Sequence, residues 1–239
     1  MKMKWVEKLK SLLSKTGYTC DLCGAEVFGY PQPRICADCE ASIEKGYAVC
    51  DKCGRPSVTQ GICLTCKSVV PEFDRGLSPF AYHDHVARAI NRLKEGEPHL
   101  AYFFGEKMAE TFKNSDLAKE GVVVTYVPLL AERKRTRGYD QAERLAKVVA
   151  TQLQLPLEET LLCLGAKEKQ KELSLAERKQ NVAGNYRVTD KKQVKGKTYL
   201  LVDDIMTTGA TGSECADRLK KAGAKAVYFL TAAALPERK

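Results

Sequence analysis

Eight of the chain's ten cysteines lie between positions 20 and 66, in four Cys-x-x-Cys pairs: Cys20–Cys23, Cys36–Cys39, Cys50–Cys53 and Cys63–Cys66. The pairs are separated by 12, 10 and 9 residues. A two-residue spacer places two thiolates about a sulfur–sulfur contact apart, which suits two corners of a tetrahedral zinc. Two pairs complete one four-sulfur site, so the eight cysteines predict about two structural Zn2+ ions. The pairs can combine in sequence or interleaved, and the short intervening loops favour the sequential double ribbon. Gly24 and Gly54 directly follow two of the pairs, where a small residue lets backbone N–H groups approach the sulfurs. Disulfides would need an oxidising compartment. The opening "MKMKWVEKLKSLLSK" has neither the apolar core nor the cleavage site of a secretory signal, so the expected compartment is cytoplasmic.

A segment of about 50 residues with few large hydrophobes does not hold itself together without metal. Its aromatics are few beyond Phe28, Tyr30 and Tyr47, and its net charge is small. A structural or protein-docking role is favoured over nucleic-acid binding for this module. Ahead of it, Trp5, Val6, Leu9, Leu12 and Leu13 fall on one face of a short amphipathic helix over residues 2–15. That helix is expected to dock on the protein's own body.

The chain has 239 residues, 44% of them hydrophobic and 29% charged, the proportions of a soluble globular protein. No run of 18 apolar residues exists, so no membrane-spanning helix is expected. The net charge is +9. Residues 1–72 hold 10 basic against 8 acidic side chains, which leaves +7 of the total for the remainder. The excess gathers in "RKRTRGYDQAERLAK" (133–147) and in residues 167–197. Basic clusters favour polyanions such as phosphorylated small molecules or nucleic acid, against the plainer reading of a solvated surface.

The pattern divides the chain into residues 1–70, a helix and double zinc-ribbon-like module, and residues 71–239. From about residue 77 strands and helices alternate. Strands are expected at "RGLSPFAYH", "GVVVTYVPLL", "KTYLLVDDI" and "AKAVYFLTAAA"; helices at "HVARAINRLKE", "AYFFGEKMAETFKN", "GYDQAERLAKVVATQL" and "TGSECADRLKKAG". Apolar strands alternating with helices predict an α/β fold, a mostly parallel sheet with helices on both faces.

In such a sheet, ligands sit beyond the C-terminal ends of the strands. The stretch "YLLVDDIMTTGAT" (199–211) occupies that place, as a strand, a loop and a helix start. Thr207, Thr208, Gly209, Ala210 and Thr211 are small or hydroxylated. Their N–H groups, with the helix N-terminus, make a cradle for a phosphate. Asp203 and Asp204 have the opposite chemistry, able to accept hydrogen bonds from a diol or to hold a hydrated Mg2+. A phosphate cradle beside a diol acceptor describes a ribose 5-phosphate. The GxxxxGK[ST] and GxGxxG alternatives are absent.

The same thirteen residues resemble the phosphoribosyl-pyrophosphate (PRPP) binding motif of type I phosphoribosyltransferases. The whole chain is similar to the ComF family of late competence proteins, which join a cysteine-rich zinc module to that domain. "VPLLAERKRTRGYDQAERLA" (127–146) and "QKELSLAERKQNVAGNYRV" (170–188) resemble the family's other two signatures. The resemblance implies a type I phosphoribosyltransferase-like sheet, PRPP bound with Mg2+, and ribose hydroxyls held by Asp203 and Asp204. It implies that Thr207 to Thr211 bind the 5-phosphate, and that the strand end near Val127–Leu129, with Arg133 and Arg137, faces pyrophosphate. Residues 170–187, with Arg178 and Asn181, would form part of a hood. His83 and His85 read as surface residues.

Two positions depart from the family pattern. RGxNQ reads Arg137-Gly138-Tyr139-Asp140-Gln141, and a carboxylate there faces either pyrophosphate, which it repels, or Arg137 or Mg2+. After Lys94 the chain reads "EGEPHL" in place of an aromatic-Gly pair. The implied biological role is DNA uptake in natural transformation, with single-stranded DNA and a DEAD-box-like competence translocase as partners. Three functions share this motif: phosphoribosyl transfer to an unidentified acceptor, assembly on DNA, and non-catalytic sensing of PRPP.

Overall fold

The computed structural model describes residues 19–27, 34–43, 48–58, 60–164 and 184–237. The expected helix at 2–15, the aromatics Phe28, Tyr30 and Tyr47, and Arg178 and Asn181 of the expected hood lie outside the described residues. Short elements cross the cysteine-rich segment: α1 (Ala37–Ile43), an antiparallel pair β1 (Ala48–Val49) and β2 (Pro56–Ser57), and α2 (Leu64–Ser68).

The main body continues as β3 (Arg75–Leu77), β4 (Phe80–Ala81), α3 (Asp84–Glu95), α4 (Leu100–Lys113), β5 (Val122–Tyr126), α5 (Ala131–Arg137) and α6 (Gln141–Leu153). A hairpin of β6 (Leu161–Cys163) and β7 (Tyr186–Val188) comes next, then α7 (Lys191–Val194), β8 (Thr198–Met206), α8 (Ala210–Lys221) and β9 (Ala226–Ala234). The sheet order is β3-β9-β8-β5, with β4 also on β9, and every pairing in it is parallel. The expected single strand at "RGLSPFAYH" is thus two short strands.

Side chains of a strand alternate between faces, and the central strands divide their residues accordingly. Val122, Val124, Tyr126, Leu200, Val202, Leu230 and Ala232 join one core with the buried sides of α3, α4 and α6. Val123, Val127, Tyr199, Leu201, Val227 and Phe229 join the other with α8 and Phe73. Helices therefore cover both faces, as a mostly parallel sheet of continuous apolar strands requires. The cysteines divide too. Cys20 and Cys39 pack into the α3/α4/α6 core, and Cys50, Cys53, Cys63 and Cys66 into the α8 core.

Candidate phosphate site and metal centres

Parallel pairing brings the C-terminal ends of β5 and β8 side by side. Tyr126 is opposite Val202 in the ladder, and the Val127 N–H donates to the Val202 carbonyl at 2.9 Å. The segment leaving β5 is therefore held beside the segment leaving β8. From β8 the chain enters the Thr207–Thr211 loop. Gly209 takes φ 85° as the N-cap of α8, a left-handed value that favours glycine. Thr207, Thr208, Ala210 and Thr211 are exposed, and Thr208 Oγ1 accepts from the Ala210 N–H at 3.3 Å. A twelve-residue helix begins at this loop, so its first N–H groups and its dipole favour an anion there.

Asp203 and Asp204 lie near the C-terminal end of β8, as expected, and the strand runs on to Met206. As neighbours in a strand they lean to opposite faces. Asp204 is buried and pairs with Lys94 from the last turn of α3, at 3.2 Å. Asp203 accepts from the Asp204 N–H at 2.8 Å. Burial, and then the neighbouring charge of Asp204, push the Asp203 carboxyl well above the usual carboxylate range.

From β5 the chain bends and then enters α5, a seven-residue helix with no buried residue. Arg133 and Arg137 stand on this helix, just after the strand-end segment Val127–Leu129. The two arginines line a cleft of about 680 Å³ together with Lys94, Glu95, Leu130, Glu132 and Thr136. Both thus share one cavity, and Lys94, which sequence reasoning did not single out as a site residue, links it to Asp204. The Arg137 guanidinium also donates to Gln141 Oε1. Lys134 is engaged with Glu143 at 2.8 Å.

The Asp140 carboxylate is engaged by backbone N–H groups. It is the N-cap of α6: Oδ1 accepts from the Ala142 and Glu143 N–H groups at 2.9 and 3.2 Å. Oδ2 accepts from the Leu129 N–H at 2.7 Å. A buried carboxylate with three donors is already satisfied, so the departure from the family pattern is structural. In "EGEPHL", Gly96 closes α3 and Glu97 pairs with Arg92 at 2.6 Å. His83 and His85 sit at the opening of α3 beside Asp84 and Arg88.

The cysteine pairs combine in sequence. Cys20, Cys23, Cys36 and Cys39 form one tetrad, Cys50, Cys53, Cys63 and Cys66 the other, with the sulfurs of each within 4.8 Å of one another. Zn–S bonds of about 2.3 Å at tetrahedral angles separate sulfurs by about 3.8 Å. The Cys23–Cys36 and Cys53–Cys63 separations are 3.7 and 3.8 Å, so each tetrad can hold such an ion. Gly24 and Gly54 turn at φ 78° and 70°. The Ala25 N–H reaches Cys23 Sγ at 3.4 Å, and the Cys63 N–H reaches Cys50 Sγ at 3.3 Å. Burial raises the Cys50 thiol, but N–H donors from Cys63, Cys53 and Lys52 together bring it down to about 7. Cys20 is likewise lowered to about 7, against the effect of burial, by donors from Cys23, Cys36 and Leu22.

The segment of the second tetrad is tied to the rest of the chain at several places, one of them the Thr207–Thr211 loop. Arg55 Nη2 donates to the Thr207 carbonyl at 2.8 Å. Ser57 Oγ and the Leu64 N–H both donate to the Glu237 carboxylate at 2.6 Å. The Gly76 N–H donates to the Lys52 carbonyl at 2.8 Å.

This architecture, with a threonine- and glycine-bearing loop after a central parallel strand, is that of a phosphoribosyltransferase-type domain, and residues 140–239 match the family described as the phosphoribosyl transferase domain. The chain is 27% identical over 218 residues to the competence protein ComFC of Bacillus subtilis, covering 86% of each chain. It is 27% identical over 200 residues to the DNA utilization protein YhgH of Salmonella typhimurium, covering 81% of this chain and 87% of that one. Over most of its length the chain is thus similar to proteins of the ComF type, named for competence and DNA utilization. Among solved structures, the glutamine PRPP amidotransferase of B. subtilis is 26% identical with a TM-score of 0.40, over 54% of this chain and 25% of that one. No helix among the described residues is long and apolar enough to cross a membrane.

Proposed function

We propose that the domain binds a phosphoribosyl ligand, PRPP or ribose 5-phosphate, with Mg2+. The observation that carries this reading is the Thr207–Thr211 stretch at the start of α8, exposed at every residue but Gly209, directly after the strand that bears Asp203 and Asp204. The loop N–H groups and threonine hydroxyls hold the 5-phosphate. The carboxylates take the ribose hydroxyls, directly or through Mg2+. Arg133 and Arg137 receive the pyrophosphate in the cleft, where guanidinium groups offer bidentate contacts. Transfer would break the C1′–O bond to pyrophosphate as an acceptor bonds C1′. Charge stabilisation of the leaving group is then the main demand on the protein. The acceptor is a base or amine, and zinc fills the two cysteine tetrads.

Calorimetry with PRPP and Mg2+ tests the reading, with Asp203→Ala/Asp204→Ala as control. Binding by the intact chain that the double substitution abolishes is expected. Absence of binding to intact, metal-loaded protein would overturn it. Pyrophosphate release with a panel of bases and amines separates transfer from sensing.

A second reading rests on α5, whose Arg133, Lys134, Arg135 and Arg137 stand on a helix with no buried residue. Such a row of cations suits single-stranded DNA. The names of the relatives, a competence protein and a DNA utilization protein, support a role in DNA uptake, and the family resemblance adds a DEAD-box-like translocase as the proposed partner. Binding should be indifferent to sequence and fall steeply with salt. Replacing Arg133, Lys134 and Arg135 by alanine should weaken it at least tenfold, and unchanged binding would exclude this helix.

A further inference from the structure

One contact between the segment of the second cysteine tetrad and the rest of the chain ends on the loop proposed to hold phosphate. Arg55 comes directly after Cys53 and Gly54, and its carbonyl accepts from the Cys50 N–H at 2.9 Å, so its backbone belongs to the cysteine turn. Its side chain is only 5% exposed and crosses to the Thr207 carbonyl at 2.8 Å. The guanidinium also reaches the Cys53 sulfur. Below the loop, Phe73 and Met206 lie beneath Gly209, and Phe73 packs on Phe229 with ring centroids 5.2 Å apart.

A trans peptide is planar, and its carbonyl and N–H point in opposite directions. A guanidinium that holds the Thr207 carbonyl toward the cysteine turn therefore turns the Thr208 N–H the other way, to the exposed side of the loop. Rotation of that one peptide would replace a donor with a carbonyl oxygen, which repels an anion. Arg55 Nε is buried without an acceptor among the described residues.

We propose that Arg55 is a positioning residue for the phosphate loop, which it locks with the Thr208 N–H turned toward the ligand; the inference rests on the phosphoribosyl reading above. It makes the second cysteine tetrad, and not the first, the support of the anion site. Arg55 itself touches no ligand. Its effect passes through one peptide bond.

The test measures ribose 5-phosphate binding by calorimetry on the full chain, with metal content determined for every variant. Arg55→Met should bind at least tenfold more weakly with both metals retained, and should shift the Thr208 amide resonance. Arg55→Lys, which keeps one cationic donor, should recover part of both. Ser57→Ala removes a module–domain hydrogen bond that does not reach the loop, and should stay within twofold of the unaltered chain. Arg55→Met binding as tightly as the unaltered chain would overturn the role of Arg55. Equal losses in Arg55→Met and Ser57→Ala would also overturn it, as general adhesion. Should Arg55→Met fail to fold, unaltered affinity and an unmoved Thr208 amide in Arg55→Lys would overturn it. If the unaltered chain binds neither ribose 5-phosphate nor PRPP with Mg2+, the phosphoribosyl reading falls and this inference falls with it.

Discussion

Asp140 accepts three hydrogen bonds with two oxygens, and they serve two different ends. One oxygen caps α6 through Ala142 and Glu143, and the other fixes the Leu129 N–H at the exit of β5. Asparagine has one oxygen and can keep only one of those ends. Asp140→Asn should cost about 1 kcal/mol, and Asp140→Ala about 2–4 kcal/mol, as a lost cap plus a stranded buried donor; urea unfolding measures both. Asp203 behaves in the opposite sense. Its folded pKa is raised, first by burial and then by Asp204, so its contribution to stability is full in acid and is lost as pH rises through the folded value. Asp203→Asn keeps the acceptor for the Asp204 N–H. It should raise the melting temperature at pH 7 to 8, by about 2–4 °C per kcal/mol relieved, and lose that gain below about pH 4. No gain at neutral pH would show that the carboxylate is not strained. The Asp203–Asp204 pair and the loop after it were legible in the sequence because the chemistry sits in consecutive residues. The burden of Asp140 was not, since its donors come from a bend eleven residues earlier and from the turn just after it. Lys94 was missed as a site residue for the same reason: only the fold brings it to Asp204.

At the scale of elements, long helices and buried strands were readable from apolar periodicity, and β8, α8 and β9 fall within a few residues of expectation. The α5 helix was not. It buries nothing, so no apolar period marks it, and its one signal is Gly138 at φ 85° closing its last turn. The β6–β7 hairpin was missed because each strand has three residues and the partners are far apart in sequence. Ladder order is also silent in sequence, since periodicity reports a face and not a neighbour. One contact between elements is open to a sharp test. A Cβ on Gly54 would lie 2.4 Å from the Gly76 carbonyl oxygen, and one on Gly76 would lie 2.3 Å from the Cys53 carbonyl oxygen. The cysteine turn and β3 meet backbone to backbone. Gly54→Ala also meets a positive φ, so it should lower stability by about 1–3 kcal/mol or more, read from thermal unfolding with metal present. A neutral result would show that the turn can move off β3.

For the whole molecule, two cysteine tetrads and two cores are one design. Each tetrad is seated in a different core, on either side of the sheet. Metal analysis of protein purified without chelator should find two zinc ions per chain, and a value near one would leave half the cysteines without a site. An ion whose free concentration is a thousandfold above its Kd adds about 4 kcal/mol, so a strong chelator should shift urea unfolding markedly and loosen both faces. The sequential pairing was favoured by loop length, but the seating of the tetrads on opposite faces was not legible from any local pattern. The last structural feature concerns time. The central strand β9 lies between β3 and β8, and Glu237 is clasped by Ser57 and Leu64. On the ribosome the cysteine knuckles can close around metal early, from neighbouring residues. The sheet cannot, because its middle is written last: until residues 226–237 leave the exit tunnel, β3 and β8 wait as open edges, and the nascent chain is a pair of finished clasps around an unfinished core.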